Sequence, residues 1–501
     1  MKISMTRPIM RYLLHALLLV APWALCATKP DSQPVAQDTI VASFDDGIPE
    51  GVAALGGTVE VVTDKGVPAT GAGCLKMTLA AKAGQKAYLK LPLPKGANGA
   101  RCAELVAQVR LSGVEGEIDL RWYALDADRK RILQRAFHLR KATGWTELRW
   151  SLASWRWADD RVGDWSEAAS LVLQVSSRRG EVWLDEIRMT PGTRGEASAM
   201  PDQDWLKQLA FADRKSRVVC EDGVLVGTDA VDELSQDDLK RLAVQMKRVR
   251  EWMGRLFGGA VRPVGKGAPV ALLILRDRKD YVAFFRRLGE AWNVEIAPPD
   301  TGGYTVQDIA ASTYSREYGI DRPVYLHEAV HAMAARNLRL LNGSPRHSWI
   351  EEGLANYLQV CVYPKSLDRK TYVVNFARPI DRGGKTFFKP LKTVLSGLAG
   401  AESYAQLGSI VGYLVAERPE WLGKIARGLA DGEDLEKVLK DCGTSIDELE
   451  KAWFAWGAKT FAPDAKPPSE GAIFPLPQEW GLPATTGTSR DSAPAIQPGR
   501  G

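Results

Sequence analysis

The spacing of apolar residues changes partway along this chain, and that change constrains the fold more than any other feature. Before it, apolar and polar residues largely alternate in 105–111, 117–125, 145–152 and 181–189. Alternation gives a β-strand one buried face, so these stretches predict a sandwich of two sheets. The later stretch 234–258 instead has an apolar residue every three or four positions, which predicts an amphipathic helix.

Two further strands are predicted after that helix. The continuous apolar run in 268–277 is typical of a buried strand. The stretch 302–312 predicts a single strand, which could hold an extended peptide at the edge of a sheet.

The chain has 501 residues, which is too long for one ordinary core, so we expect several domains. The predicted fold class is multidomain: an N-terminal all-β sandwich, then a C-terminal α+β domain whose later part is mainly helical. Pro, Gly, Ser and Thr dominate the last residues, so we expect a disordered tail there. The predicted divisions are a signal peptide (1–27), the sandwich (39–190), a linker (191–203), the second domain (204–462) and the tail (463–501).

The first residues have the pattern of an export signal. The basic residues Lys2, Arg7 and Arg11 come first. The apolar run 12–25 follows and ends in small residues near Cys26. A membrane anchor and a lipid-modified cysteine are the alternatives, although the run is short for a membrane helix. We predict a secreted, periplasmic or cell-surface protein with no transmembrane segment after the signal peptide. The net charge of +5 is small for this length and does not indicate a nucleic-acid partner.

The stretch PVYLHEAVHAMAARN, from Pro323, carries two of the five histidines of the chain. Asp321 as an N-cap and Pro323 in the first turn predict the start of a helix. His327 and His331 then lie one turn apart on the same helical face, with Glu328 beside the first. Two neutral imidazoles at this spacing suit one Zn²⁺ ion, and Glu328 could act as a general base. The alternative is a helix that carries two histidines by coincidence.

A second stretch, SWIEEGLANYLQV from Ser348, offers a third metal ligand. Ser348 and Glu351 have the spacing of a capping box, which would turn Glu351 back towards the helix start. Glu352 then points about 100° away around the helix axis, on a face with small and polar neighbours. We therefore predict that Glu352 is a zinc ligand. The alternative is a solvated carboxylate near a helix N-terminus.

The motifs HEAVH and WIEEGLANYL resemble those of the gluzincin metallopeptidases, the thermolysin- and aminopeptidase-N-like group of the peptidase MA-like superfamily. The resemblance covers about 225–460. It implies a zincin-like peptidase domain with one catalytic Zn²⁺ held by His327, His331 and Glu352. It also implies that Tyr404, in SYAQLGSIVGYLVAE, stabilises the transition state; a packed or surface tyrosine is the alternative. The aminopeptidase motif Gly-Ala-Met-Glu-Asn is missing from the sequence, so the resemblance does not imply cleavage from an amino terminus.

The stretches VASFDDG and GEVWLDEIRM resemble the first and last strands of galactose-binding-like jelly rolls, the fold of many carbohydrate-binding modules. The resemblance covers the predicted sandwich and implies a glycan or glycoprotein as a further partner. It also implies a structural Ca²⁺ ion held by Asp45, Asp46 and Asp185, because Ca²⁺ prefers carboxylate oxygens. The alternative for these three residues is a set of turn and edge carboxylates that face water.

The predicted function is that of a secreted zinc metallopeptidase of the HExxH…E type. In the mechanism that the resemblance implies, Glu328 assists the attack of water on a peptide bond, and Zn²⁺ and Tyr404 stabilise the developing charge. The expected partners are a peptide or protein substrate and a glycan. The alternative function is a non-catalytic cell-surface or extracellular carbohydrate-binding protein with a structural peptidase-like domain.

Other side chains are expected to have structural roles. We predict that His138 packs in a strand and that His347 lies in a surface turn. The cysteines are too few and too scattered for a disulfide framework, and a single bond between Cys74 and Cys102 is the one that we predict. Three tryptophans could stack on sugars, but packing inside the protein is the prediction: Trp155, Trp157 and Trp165.

Overall fold

A computed structural model of the protein describes residues 38–465 and 474, apart from 83–84, 96, 98, 100–101, 115–116, 141–143, 153–154, 159–161, 178, 192–202, 213, 263–269, 293, 342, 368 and 378–387. The described residues form one compact unit. The predicted signal peptide and most of the predicted linker lie outside the described residues. None of the described helices has both the length and the apolar content that crossing a bilayer requires.

The described strands are β1 (Thr39–Ala42), β2 (Ala53–Leu55), β3 (Gly57–Val62), β4 (Cys74–Leu79), β5 (Ala87–Pro92), β6 (Cys102–Ser112), β7 (Glu117–Leu125), β8 (Arg131–Arg140), β9 (Thr146–Ser151), β10 (Arg156–Trp157), β11 (Ser170–Val175), β12 (Glu181–Pro191), β13 (Arg217–Glu221), β14 (Val224–Thr228), β15 (Val270–Leu275), β16 (Gly303–Val306) and β17 (Ile309–Thr313). The described helices are α1 (Gln203–Phe211), α2 (Gln236–Phe257), α3 (Arg278–Trp292), α4 (Pro323–Met333), α5 (Ser348–Val362), α6 (Arg369–Ala377), α7 (Leu391–Val394), α8 (Tyr404–Glu417), α9 (Pro419–Ala430), α10 (Leu435–Asp441) and α11 (Ile446–Thr460).

The strands β1 to β12 form two antiparallel six-stranded sheets whose inner faces share one apolar core. One sheet has the order β3-β4-β12-β6-β9, with β1 also paired to β12, and the other has the order β10-β8-β7-β11-β5-β2. In β5, Ala87, Leu89 and Leu91 are buried while the residues between them are half-buried. The four predicted strands correspond to β6, β7, β9 and β12. The prediction of an N-terminal β-sandwich is therefore confirmed.

The core of the sandwich contains all three tryptophans that we predicted to pack. Trp155, Trp157 and Trp165 are buried, and the rings of Trp155 and Trp165 meet edge to face with centroids 4.7 Å apart. The predicted disulfide is wrong, because no bond joins the sulfur atoms of Cys74 and Cys102. These cysteines lie on β4 and β6, which β12 separates. Two strand spacings are roughly 9–10 Å, which is too far for a disulfide.

After α1, the chain forms a five-stranded sheet of order β13-β14-β15-β17-β16. The predicted buried strand is confirmed, since every residue of β15 is buried. The predicted single strand 302–312 is wrong, because it is a hairpin of β16 and β17. Gln307 and Asp308 form its turn, and Gln307 has a left-handed backbone with φ +58°. The hairpin leaves β16 at the edge of the sheet.

Helices dominate the rest of the described chain. The predicted helix 234–258 is confirmed as α2, and Ser235 and Asp238 form its capping box. In the described residues that follow β17, the regular structure is helical. The expectation of a mainly helical second half is therefore confirmed.

Helices α5 and α8 pack with their backbones close together. A Cβ atom on Gly353 would lie 2.8 Å from the carbonyl oxygen of Leu407, and one on Gly408 would lie 2.6 Å from Asn356 Oδ1. Phe474 is buried beside α8, and its ring centroid lies 5.5 Å from that of Tyr357. The predicted disordered tail is therefore wrong at Phe474, because an aromatic side chain there fills part of the core.

Candidate metal centre

Helix α4 brings the two predicted histidine ligands together. The Nε2 atoms of His327 and His331 lie 3.3 Å apart, and both side chains are buried. The predicted N-cap Asp321 is wrong, because the cap position is Arg322, which makes no side-chain cap bond. Pro323 begins the helix and has no N–H group, so one of the donors that a cap would satisfy is missing.

Helix α5 brings the carboxylate of Glu352 to the two imidazoles. Glu352 Oε2 lies 3.3 Å from His327 Nε2 and 3.4 Å from His331 Nε2. In a tetrahedral zinc site with bonds of about 2.0–2.1 Å, the ligand atoms lie about 3.3–3.4 Å from one another. The three distances between these side chains therefore fit one tetrahedral ion.

The surroundings of the three side chains also fit a cation. In the part of the chain that the structure describes, His327, His331 and Glu352 are the group of His, Cys, Asp and Glu residues whose ligand atoms converge closely enough to hold a metal ion. Glu352 Oε2 is buried and makes no hydrogen bond. Although burial opposes ionisation, the imidazoles of His331 and His327 hold the pKa of Glu352 well below its usual range. The carboxylate therefore stays negative, as a metal ligand must.

The predicted capping box at the start of α5 is wrong. His347 occupies the cap position without a side-chain bond, and Ser348 Oγ accepts the backbone N–H of Ala399. Glu351 is completely buried, and neither of its carboxyl oxygens makes a hydrogen bond. Burial and the neighbouring Glu352 raise the pKa of Glu351 well above its usual value. The start of α5 is thus packed inside the protein, and Glu351 does not turn back to the backbone.

Glu328 lies next to His327 on α4 and is also buried. The hydroxyl of Thr305 lies 2.8 Å from Glu328 Oε2. Burial raises the pKa of Glu328 to about 7, although His327 and the Thr305 hydrogen bond oppose part of that rise. A carboxyl group with a pKa near neutrality can both accept and release a proton, which is what a general base needs.

Tyr404, at the start of α8, also lies in this centre. Its hydroxyl donates to Glu352 Oε1 over 3.1 Å. Its ring stacks on that of His327, with centroids 5.7 Å apart and an angle of 28° between the planes. Burial and the nearby Glu352 raise the pKa of the Tyr404 hydroxyl, which therefore keeps its proton. The structure thus places the predicted catalytic tyrosine against two of the predicted ligands.

The sequence analysis did not assign Thr305 to this centre. Thr305 lies 23 residues before Glu328, on a different element. No local spacing links a strand residue to a helix residue over that distance. The one available signal was the predicted strand directly before the HEAVH helix, which placed a β edge near the motif.

His347 is not a surface residue, so that prediction is wrong. It is buried; its Nδ1 accepts the N–H of Leu341 over 2.9 Å, and its Nε2 therefore donates to the carbonyl of Leu429 over 3.2 Å. These bonds tie the start of α5 to α9, which covers the turn. His138 lies in β8 as predicted, but its side chain is outside the described part of the structure.

Asp45, Asp46 and Asp185 are the predicted calcium ligands. Within the described residues, their carboxylate oxygens do not converge closely enough to be grouped around one metal ion. Asp185 is buried, and its Oδ2 accepts the backbone N–H groups of Ala69 and Thr70, each over 2.9 Å. Asp45 also accepts backbone N–H groups, and Asp46 is exposed. Backbone N–H groups thus donate hydrogen bonds to the carboxylates of both Asp45 and Asp185. The calcium site stays a prediction.

Comparison with known proteins yields solved structures only, since no family model and no curated protein matches the chain. The family 11 carbohydrate-binding module of the cellulase Lic26A-Cel5E of Clostridium thermocellum matches at 11% identity and TM-score 0.24, covering 31% of this chain and 95% of that chain. The CBM22-1 xylan-binding domain of Paenibacillus barcinonensis Xyn10C matches at 17% identity and TM-score 0.25, covering 32% and 97%. The chain is thus similar over part of its length to β-sandwich modules, and at these TM-scores the likeness carries no argument about its ligand.

Proposed function

We propose that the protein is an exported, zinc-dependent hydrolase that cleaves peptide bonds. The observation that carries this proposal is the triangle of His327 Nε2, His331 Nε2 and Glu352 Oε2, with edges of 3.3–3.4 Å, beside the buried carboxyl group of Glu328. These two histidines and Glu352 would hold one Zn²⁺ ion. When bound, the ion would act as a Lewis acid and lower the pKa of a water molecule.

The chain supplies the groups that move and hold protons. Glu328 would take a proton from the attacking water and return it to the departing amine. Tyr404 keeps its hydroxyl proton and points it at Glu352. The same O–H group could donate to the oxyanion that develops on the substrate carbonyl.

The strand β16 could hold the substrate. Among the described strands of its sheet, β16 lies at the edge and pairs with β17 alone. Its residues Gly303 and Thr305 lie against Glu328. An extended peptide that added to this edge would therefore run past the proposed base.

The test is metal analysis of the purified full-length chain together with digestion of a peptide library. Glu328→Gln should keep about one zinc per chain but lose hydrolysis by about 10²–10⁴-fold, because only the base is removed. His331→Ala should lose both zinc and hydrolysis. Glu402→Gln changes an exposed glutamate near Tyr404 and is the matched control, which should keep both. Undiminished hydrolysis by Glu328→Gln, or a chain that does not retain zinc, would contradict the proposal.

The sandwich supports a second candidate function, that of a non-catalytic carbohydrate-binding protein. Two six-stranded sheets form a module that could present a glycan-binding face. This function would need neither zinc nor Glu328. Glycan binding by the full chain without zinc or hydrolysis would favour it. Stoichiometric zinc with chelator-sensitive hydrolysis would favour the peptidase instead.

A further inference from the structure

The side chain of Glu328 packs against β16. Thr305 Oγ1 lies 2.8 Å from Glu328 Oε2 and 2.9 Å from the backbone carbonyl oxygen of Glu328. Thr305 is only 2% exposed. Two residues earlier, on the same face of the strand, a Cβ atom on Gly303 would lie 2.6 Å from Glu328 Cγ. The strand β16 therefore packs closely against Glu328.

We propose that Thr305 is a positioning residue, whose hydroxyl holds the carboxyl group of Glu328 in one orientation during proton transfer. This inference rests on the proposed function of Glu328 as the base. A hydroxyl group donates one hydrogen and accepts others. Thr305 can therefore donate to ionised Glu328. When Glu328 carries the proton, Thr305 can accept from it and donate to the backbone carbonyl instead.

The hydrogen bond between Thr305 and Glu328 can therefore form with Glu328 either ionised or protonated, and neither side chain needs to change its rotamer. The proton that Glu328 takes from water passes on to the leaving amine, and Thr305 keeps its own. Gly303 adds to the effect, because the missing side chain leaves room for Glu328 Cγ against the strand. A purely structural role, in which Thr305 only packs β16 on α4, predicts no special need for the hydroxyl.

Two substitutions separate these roles. Thr305→Val keeps the shape and loses the hydroxyl, whereas Thr305→Ser keeps the hydroxyl and loses a methyl group. In zinc-loaded full-length protein, we expect Thr305→Val to retain zinc and to lower kcat by about 10-fold to 100-fold with little change in KM. Thr305→Ser should stay within about threefold of the wild-type kcat, because it keeps the hydrogen bond. Equal kcat values for the two variants would overturn the proposal.

A structural readout separates this proposal from the proposed function. Crystal structures of metal-free wild type and Thr305→Val should show the Glu328 carboxyl group in different rotamers, with the α4 backbone unchanged. The same rotamer in both would overturn the positioning role even if the enzyme is active. A wild-type chain that hydrolyses no peptide would instead refute the proposed function. If Thr305→Val does not fold, Thr305→Cys, a weak donor of similar size, should show the same loss of kcat and the same rotamer change.

Discussion

A buried ion pair fixes the turn between β16 and β17. Arg336 Nη1 lies 2.7 Å from Asp308 Oδ2, and both side chains are almost fully buried. Arg336 lies in the π-helical segment Ala334–Leu338, which extends α4. The pair therefore joins the hairpin that carries Thr305 to the helix that carries the histidines. Removing one partner would leave an uncompensated charge in the interior, which would lower the unfolding free energy.

Because Asp308 titrates at a different pH in the folded and unfolded states, the unfolding free energy should depend on pH. Burial raises the pKa of Asp308 from 3.8 to about 6, although Arg336 opposes part of that rise. The folded protein then binds this proton more tightly than the unfolded chain does. The stabilisation that comes from protonating Asp308 in the folded state is fully present below about pH 4, and it is lost as pH rises through about 6, where Asp308 ionises and pairs with Arg336.

Urea unfolding of wild type and Asp308→Asn between pH 4 and pH 7 measures this contribution, because the variant lacks the titrating group. The unfolding free energy of wild type minus that of Asp308→Asn should fall as pH rises. A difference that stays flat or grows over this range would refute the assignment.

At the scale of elements, the close packing of α5 on α8 decides where Glu352 points. An added Cβ on Gly353 would lie 2.8 Å from both the Leu407 carbonyl oxygen and Val411 Cγ2. Gly353→Ala should therefore push the helices apart and lower the unfolding free energy by about 1–3 kcal/mol. Because Glu352 precedes Gly353, zinc affinity should also fall. Urea unfolding and zinc titration measure the two effects.

Gly254→Ala on α2 is the matched control for this substitution. No neighbouring atom lies within 4 Å of an added Cβ there. Replacing a glycine inside an open helix face should stabilise the protein by about 0.5–1 kcal/mol and leave zinc binding unchanged. The close-packing explanation fails if both alanine variants change stability in the same direction and by the same amount.

At the scale of the whole molecule, the sandwich braces the β16–β17 turn. Gln307 Oε1 accepts the N–H of Trp157 over 3.2 Å, and Gln307 Nε2 donates to the Trp157 carbonyl over 3.4 Å. The side-chain amide thus pairs with the backbone of β10 much as a neighbouring strand would. Arg339 adds an ion pair with Glu167 of the sandwich, with Nη2 and Oε1 2.6 Å apart.

Gln307→Asn should break the contact between the β16–β17 turn and the Trp157 backbone of the sandwich. The shorter side chain cannot keep both bonds, and asparagine tolerates the left-handed backbone at this position, so no new strain is added. We expect a loss of about 0.5–2 kcal/mol of unfolding free energy. We also expect a lower kcat/KM for the proposed hydrolysis with zinc retained. Gln236→Asn, which shortens an exposed amide bonded to the Val218 carbonyl, should leave kcat/KM unchanged. Wild-type kcat/KM and stability in Gln307→Asn would show that the contact does not brace the hairpin.

The sequence by itself determined the features that depend on neighbours a few residues apart. Alternation of apolar residues predicted strands such as β6 and β12, and three-four spacing predicted α2, because each period fixes one buried face. Helical geometry alone brings His327 and His331 together, since residues four apart share a face. Local spacing failed for the predicted box at Ser348, because the start of α5 is buried and its serine binds another segment.

Only the tertiary structure decided which distant side chains meet. Glu352 reaches the imidazoles of α4 because α5 packs beside that helix, and Tyr404 reaches Glu352 from α8. Thr305 likewise meets Glu328, and Asp308 meets Arg336, across elements. Burial of apolar surface drives such packing without direction, so the apolar pattern shows which faces are covered but not which polar atoms face each other. Those pairings are set by how the backbones fit, as at Gly353, where the space left by a missing side chain lets the helices close.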